Sequence, residues 1–167
     1  FNTVVESLGL FGDKDLEHSA DYRFWLRSTA LHETSRDTRR GVTYWTECIK
    51  YVVEAIGHTL VLMAPWRTPG ALARAWCTYE TVVTLHAKKP LSYIVSPWDY
   101  ADMMSNIGDV YPDMVARIAK IHFSEANGSR GDRLQFAAYM QEHGVDTTLN
   151  LVRTRVHFWA QAMLREA

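Results

Sequence analysis

The 167-residue chain has few of the features that identify common enzyme classes. Its two cysteines, Cys48 and Cys77, stand far apart without the spacing of metal ligands, so we predict both to be reduced core residues. Its seven histidines show no H-x-x-x-H or H-E-x-x-H spacing, which argues against a zinc site. No serine has a G-x-S-x-G context and no phosphate-binding glycine pattern occurs, so a serine hydrolase or a P-loop enzyme is not supported.

The chain also lacks an excess of charge and a long apolar run. Its formal net charge is −1, which disfavours a nucleic-acid-binding groove. No segment approaches the roughly 18 apolar residues of a membrane span, and no secretory signal is visible. We therefore expect an intracellular protein, cytoplasmic or organellar, that binds no nucleic acid and has no transmembrane segment. Peripheral association with a larger complex stays open.

What the chain does have is apolar and aromatic residues in abundance. Hydrophobic residues make up 47% of the sequence, and six are tryptophan and eight tyrosine. This length and balance are typical of one globular domain, here residues 1–167, with a sizeable core. These aromatic residues are more numerous than the outer helices of such a domain need for packing. They indicate a docking surface in addition to a well-packed core.

Apolar patterning predicts that strands and helices alternate along the chain. Strands are expected at 22–30, 59–64, 91–96 and 118–123. Helices are expected at 42–56 with Gly57 as its cap, from Thr68 to the residues before Lys88, and at 98–119, where Gly108 and Pro112 would break it into two. Helices at 131–143 and 146–166 would form a C-terminal pair that covers one face. This order predicts an α/β domain with a doubly wound, mainly parallel, flavodoxin-like sheet flanked by helices.

The segment from the strand at 59–64 to Glu80 is the strongest candidate for a site. A helix starting at Thr68-Pro69 would offer unpaired N–H groups to an anion, and Gly70 would allow a ligand to approach closely. Glu80 would share a helical face with small residues such as Cys77, which leaves room for a ligand. Spacing alone leaves open that Glu80 pairs with a cation or a backbone amide and only orients the helix.

The same block resembles the Toll/interleukin-1 receptor-like (TIR-like) domains, above all the divergent versions in large tetratricopeptide-type proteins of algae and other protists. The matching residues are Leu60-Val61-Leu62, Pro65-Trp66, Pro69, Leu72, Arg74-Ala75-Trp76-Cys77 and Tyr79-Glu80. A looser likeness extends upstream through 56–60 and downstream to 150–152.

The resemblance implies roles for individual residues. In TIR domains that cleave NAD the catalytic acid is a glutamate in a W-x-x-x-E-like segment, which Trp76 to Glu80 matches. Glu80 would stabilise the oxocarbenium-like ribose as nicotinamide departs, and NAD would be a substrate, with no cofactor needed. The remaining expectations are ligand contacts at Trp66, Thr68, Gly70, Trp76 and Cys77, and interface contacts at Trp98 and, in the loop 32–40, at Arg36 and Arg39.

Two departures from the family pattern decide between the implied functions. The first, central strand of such a sheet should precede Phe1 and is missing, either removed or supplied by a partner. Relatives carry an acid near the end of the second strand, where this chain has Arg27 and Ser28. We therefore predict an interaction or structural module with a degenerate catalytic pocket, which self-associates or serves as a subunit of a larger assembly. An NAD glycohydrolase using Glu80 and a non-catalytic nucleotide-binding domain remain the alternatives.

Overall fold

A computed structural model describes residues 42–121 and 130–167, together with Leu8. In chain order, the elements of residues 42–121 and 130–167 are helix α1 (Val42–Ile56), strand β1 (Thr59–Leu62), helices α2 (Gly70–Ala73) and α3 (Ala75–His86), strand β2 (Leu91–Ile94), and helices α4 (Pro97–Ala119), α5 (Arg130–His143) and α6 (Val145–Glu166). The expected strand at 22–30, with Arg27 and Ser28, and the expected loop with Arg36 and Arg39 lie outside the described residues.

The predicted flavodoxin-like, doubly wound sheet is wrong. In the described part of the chain the sheet has two strands, β1 and β2, which pair in parallel from Thr59 opposite Leu91 to Leu62 opposite Ile94. The rest of that part is mainly helical. The expected strand at 118–123 does not form in its described residues, because Ile118 and Ala119 continue α4 instead. Ile118 belongs to a helical stripe with Met103, Ile107 and Met114, all buried, so these apolar residues obey the helical period.

Helix α4 is continuous, although breaks were expected near Gly108 and Pro112. Both residues are exposed, and the apolar stripe of the helix passes on the other side. The helix start is well defined, because Ser96 Oγ accepts a hydrogen bond from the Asp99 N–H at 3.1 Å and Pro97 occupies the first turn. Packing of the buried stripe therefore outweighs the cost of a helical glycine, about 1 kcal/mol, and that of a helical proline, about 3 kcal/mol.

The helices predicted at both ends of the described chain are confirmed. Helix α1 ends at Ile56, and Gly57 follows with φ of 82°, the left-handed conformation that a glycine cap supplies. Helices α5 and α6 also form within a residue of their expected bounds. The buried face of α1 includes Thr46, Ile49 and Val53, whereas Ile56 at its end is 48% exposed.

Helix α3 lies at the centre of the described core and is buried on most sides. Its threonines Thr78, Thr81 and Thr84 are buried, and each hydroxyl donates to the backbone carbonyl four residues earlier at 2.7–2.9 Å. These internal hydrogen bonds satisfy polar side chains inside the core, and Thr84 Oγ1 also lies 2.7 Å from Thr59 Oγ1 on β1.

An aromatic cluster joins α5 to α3. The ring of Phe136 stacks on Tyr79, with centroids 4.7 Å apart and planes at 14°, and meets the edge of Trp76 at 4.9 Å. Further along the two helices, His86 stacks on His143 at 4.8 Å, and His86 Nδ1 lies 3.1 Å from the Tyr139 hydroxyl. Burial first, and then the neighbouring His143, hold the pKa of His86 below its usual value.

Helices α4 and α6 pack along each other. The Tyr100 hydroxyl near the start of α4 donates to Glu166 Oε1 at 2.6 Å near the end of α6. The side chain of Arg153 on α6 reaches past the other end of α4 and donates to the carbonyl of Ile121 at 2.9 Å. Among the helices described here, none combines the length and the apolar character required to cross a bilayer.

Candidate functional site

The turn after β1 is anchored by Trp66, which was expected to contact a ligand. Trp66 is 1% exposed, and its indole Nε1 donates to Asp102 Oδ2 on α4 at 2.6 Å. Arg67 also binds Asp102, with Nη2 at 3.2 and 3.1 Å from the two carboxylate oxygens, and its guanidinium lies over the Trp66 ring. The indole hydrogen bond, and then Arg67, hold the pKa of Asp102 below its usual value. Trp66 is thus placed in the core, where it ties the turn to α4.

The expected anion site at Thr68–Gly70 does not form. The continuous helix predicted from Thr68 is instead a four-residue helix, α2, separated from α3 at Arg74, which has φ −98° and ψ 126°. The N–H of Thr68 donates to the carbonyl of Pro65, and the N–H of Gly70 donates to that of Ala64. Since these N–H groups already have partners in the turn, they are not available to a phosphate.

A pocket of about 380 Å³ runs along β1 and brings together three of the expected site residues, Gly70, Cys77 and Glu80. Glu80 is half-buried, and its Oε1 is shielded from solvent. Among the described residues, the full lining consists of Thr59, Leu60, Val61, Leu62, Ala64, Gly70, Ala71, Arg74, Cys77 and Glu80. The pocket therefore offers one carboxylate and one guanidinium against an apolar strand.

Arg74 is the pocket residue to which the sequence analysis gave no role. It belongs to the Arg-Ala-Trp-Cys motif and lies in extended conformation at the N-cap of α3, the helix that carries Cys77 and Glu80. Two other expected ligand contacts lie elsewhere. Trp76 packs on Phe136 and Tyr79, at 4.9 and 6.3 Å between ring centroids, and Thr68 lines a different cavity.

Both cysteines are free, as predicted, although they are half-buried and not in the core. Cys77 stands in the wall of the Glu80 pocket. Within residues 42–121 and 130–167 no group of three or more histidine, cysteine, aspartate or glutamate side chains is arranged to hold a metal ion.

A surface patch surrounds Trp98, the expected interface residue at the start of α4. Trp98 is 77% exposed, and Asp102 follows one helical turn later on the same face. Arg67 lies at the same surface because it forms an ion pair with Asp102, with Arg67 Nη2 3.1 Å from Asp102 Oδ2. We call Trp98, Asp102 and Arg67 the Trp98 patch; it consists of an exposed indole and, one helical turn further along α4, an anion with its paired cation.

Comparison with known proteins adds no relative: no family model, no curated protein and no solved structure matches this chain. The likeness to TIR-like domains therefore rests on the residues of the 60–80 block and on the looser likeness at 56–60 and 150–152, and it remains a prediction.

Proposed function

We propose that this chain is a protein-interaction module that self-associates through the Trp98 patch. The observation that carries the proposal is the 77% exposure of Trp98. Tryptophan is on average among the highly buried residues, and it is strongly enriched, with arginine, among the residues that dominate binding energy at interfaces.

The patch is held in place before any partner arrives. The Ser96 cap defines the first turn of α4, and Asp102 is fixed by its bonds to the buried Trp66 indole and to Arg67. A preorganised surface loses little conformational entropy on binding, so more of the contact energy appears as affinity.

The chemistry of the patch favours a second copy of the chain as its partner. A two-fold symmetric interface must be complementary to itself, so each group has to find its counterpart on the same patch of the other subunit. The Trp98 patch meets that condition because it contains both a cation, Arg67, and an anion, Asp102, beside an apolar ring. The TIR-like resemblance points to the same class of function, since self-association is among the properties it implies.

Sedimentation equilibrium tests the proposal. We expect Trp98→Ala to weaken self-association about 30-fold or more, the effect of losing a hot-spot residue. Leu134→Ala is the matched control, because Leu134 is also a large exposed hydrophobic residue and lies on α5, and we expect no change. A wild-type chain that stays monomeric at all concentrations, or equal weakening by both variants, would contradict the proposal.

A second function, NAD cleavage, is favoured by the placement of Glu80 in the Glu80 pocket, the pocket that runs along β1. In this reaction the bond between ribose and nicotinamide breaks and its electron pair leaves with nicotinamide. Water then adds to the ribose carbon and loses a proton to solvent, which gives ADP-ribose. Glu80 would stabilise the positive charge that develops on the ribose, and Arg74 would bind the diphosphate. The TIR-like resemblance assigns the same role to Glu80.

Nicotinamide release from NAD measures this activity directly. If Glu80 is catalytic, Glu80→Gln should lower the rate at least ~100-fold while leaving the fold unchanged. Glu142→Gln is the control, since Glu142 is an exposed glutamate outside the pocket, and its rate should equal that of the wild type. Absence of release by the wild-type protein at high concentration, where it is self-associated, would rule out the function.

A further inference from the structure

A second cavity lies where the turn after β1, the end of α4 and the middle of α6 meet. Its volume is about 280 Å³. Among the described residues it is lined by Met63, Arg67, Thr68, Pro69, Leu72, Ala73, Met114, Arg117, Ile118, Lys120, Ile121, Val156 and Trp159. None of these described lining residues also lines the Glu80 pocket.

The interior of the cavity is apolar. Met63 and Val156 are fully buried, and Met114, Ile118 and Ile121 are nearly so. The Arg153 side chain fixes one wall by its hydrogen bond to the Ile121 carbonyl. Such a surface favours the apolar body of a ligand, and a fixed wall favours a preformed site.

The rim of the cavity carries positive charge. Arg67, Arg117 and Lys120 line it, and no aspartate or glutamate is present among its described lining residues. Arg67 is already paired with Asp102, whereas Arg117 and Lys120 lie in the exposed last turn of α4 and just beyond it. Cations at one edge of an apolar cavity complement a ligand whose polar end is an anion.

We propose that this cavity binds a small amphipathic carboxylate, with the apolar body against Leu72, Met114 and Trp159 and the carboxylate at Arg117 and Lys120. The volume lies just below the range typical of drug-sized ligand sites and equals that of roughly nine liquid waters, which selects a ligand about as large as a medium-chain fatty acid. The cavity shares Arg67 with the Trp98 patch, but none of its described lining residues belongs to the Glu80 pocket, so the proposal does not rest on chemistry at Glu80.

Isothermal titration calorimetry with decanoate tests the site, with decanol, decyltrimethylammonium and acetate as comparison ligands. We expect decanoate to bind at least tenfold more tightly than decanol, because decanol lacks the charge that the rim recognises. Acetate lacks the apolar body, and the trimethylammonium ligand has the opposite charge, so neither should bind measurably.

Three variants locate the binding on the protein. The double variant Arg117→Gln/Lys120→Gln should weaken decanoate at least tenfold and leave decanol unchanged. Arg165→Gln is its control, because Arg165 is an exposed arginine in the last turn of α6 and outside the cavity. Ala73→Trp places a bulky ring at the exposed edge of the cavity and should abolish the binding of both ligands.

The outcomes separate the site from simpler explanations. Equal affinity for decanoate and decanol, or equal weakening by Arg165→Gln and the double variant, would overturn the proposal. Vesicles containing phosphatidylserine test whether a membrane lipid is the source of the anion. Vesicle binding that the double variant loses and that decanoate displaces supports a lipid in the cavity. Vesicle binding that changes with neither the double variant nor decanoate counts against a lipid in the cavity. If Ala73→Trp does not unfold cooperatively, it is not folded like the wild type. The double variant and its control Arg165→Gln then decide whether the cavity binds decanoate.

Discussion

Replacing Trp66 with alanine is expected to lower the free energy of unfolding by about 3–5 kcal/mol, the range measured for large aromatic residues deleted from protein cores. Trp66 is one of the largest fully buried side chains of the described core. Its removal leaves a cavity, and it also deprives Asp102 of the indole N–H that it accepts at 2.6 Å. Both losses act on the contact between the turn after β1 and α4.

Trp98 is the matched control for this measurement because the two tryptophans differ in burial and not in type. Trp98→Ala should change the stability by less than about 0.5 kcal/mol, as is usual for exposed positions. Urea unfolding followed by circular dichroism gives both values. Similar destabilisation by the two variants would mean that the Trp66 anchor is not part of the stable core. The same Trp98→Ala protein, shown to be folded, then serves in the self-association test.

Replacing Phe136 with alanine is expected to have an effect of the same size, about 3–5 kcal/mol. Phe136 is 1% exposed and lies between Tyr79 and Trp76, so its ring contacts two aromatic partners on α3. Aromatic pairs of this kind contribute about 0.5–1.5 kcal/mol beyond the burial of area. The substitution should therefore release α5 from α3 in addition to leaving a cavity.

Phe158→Ala supplies the control, since Phe158 is 59% exposed on α6. We expect its unfolding midpoint to match that of the wild type within error. Hydrogen exchange adds a local readout: in Phe136→Ala the amides of α5 should exchange faster than those of β1 and β2. Unchanged protection across α5 would show that this helix is held by contacts other than the aromatic cluster.

The sequence predicts the individual elements of this protein better than their assembly. Amphipathic spacing and Gly57 are local signals, and the helix that they predict, α1, forms with those bounds. The run at 118–123 has no such local signal, because a short apolar stretch fits a buried strand and the end of a buried helix equally well. Its described part follows Met114 in the helical stripe of α4, a register set by packing against α6 and not by the run itself.

The candidate site was predictable in part for the same reason. Cys77 and Glu80 share a helical face, so their convergence on one pocket follows from the period of α3. Trp66 was expected at a ligand because it follows a strand end, yet its partner is Asp102, 36 residues away. A contact between residues so distant in sequence has no periodic signature, and neither does the convergence of Thr68 and Lys120 on the second cavity.

The stack of His86 on His143 makes the contact between α3 and α5 sensitive to acidification. Because the folded state lowers the pKa of His86 from 6.5, the unfolded chain takes up a proton first as the pH falls. Stability is therefore complete above about pH 6.5 and declines below it, until the folded state also binds the proton at its lowered pKa. Protonation of His86 would place an imidazolium 4.8 Å from the His143 ring, beside the Lys50 ammonium that lies over Tyr139. A mildly acidic compartment would thus loosen the helix that carries Phe136 while leaving the Trp66 anchor untouched.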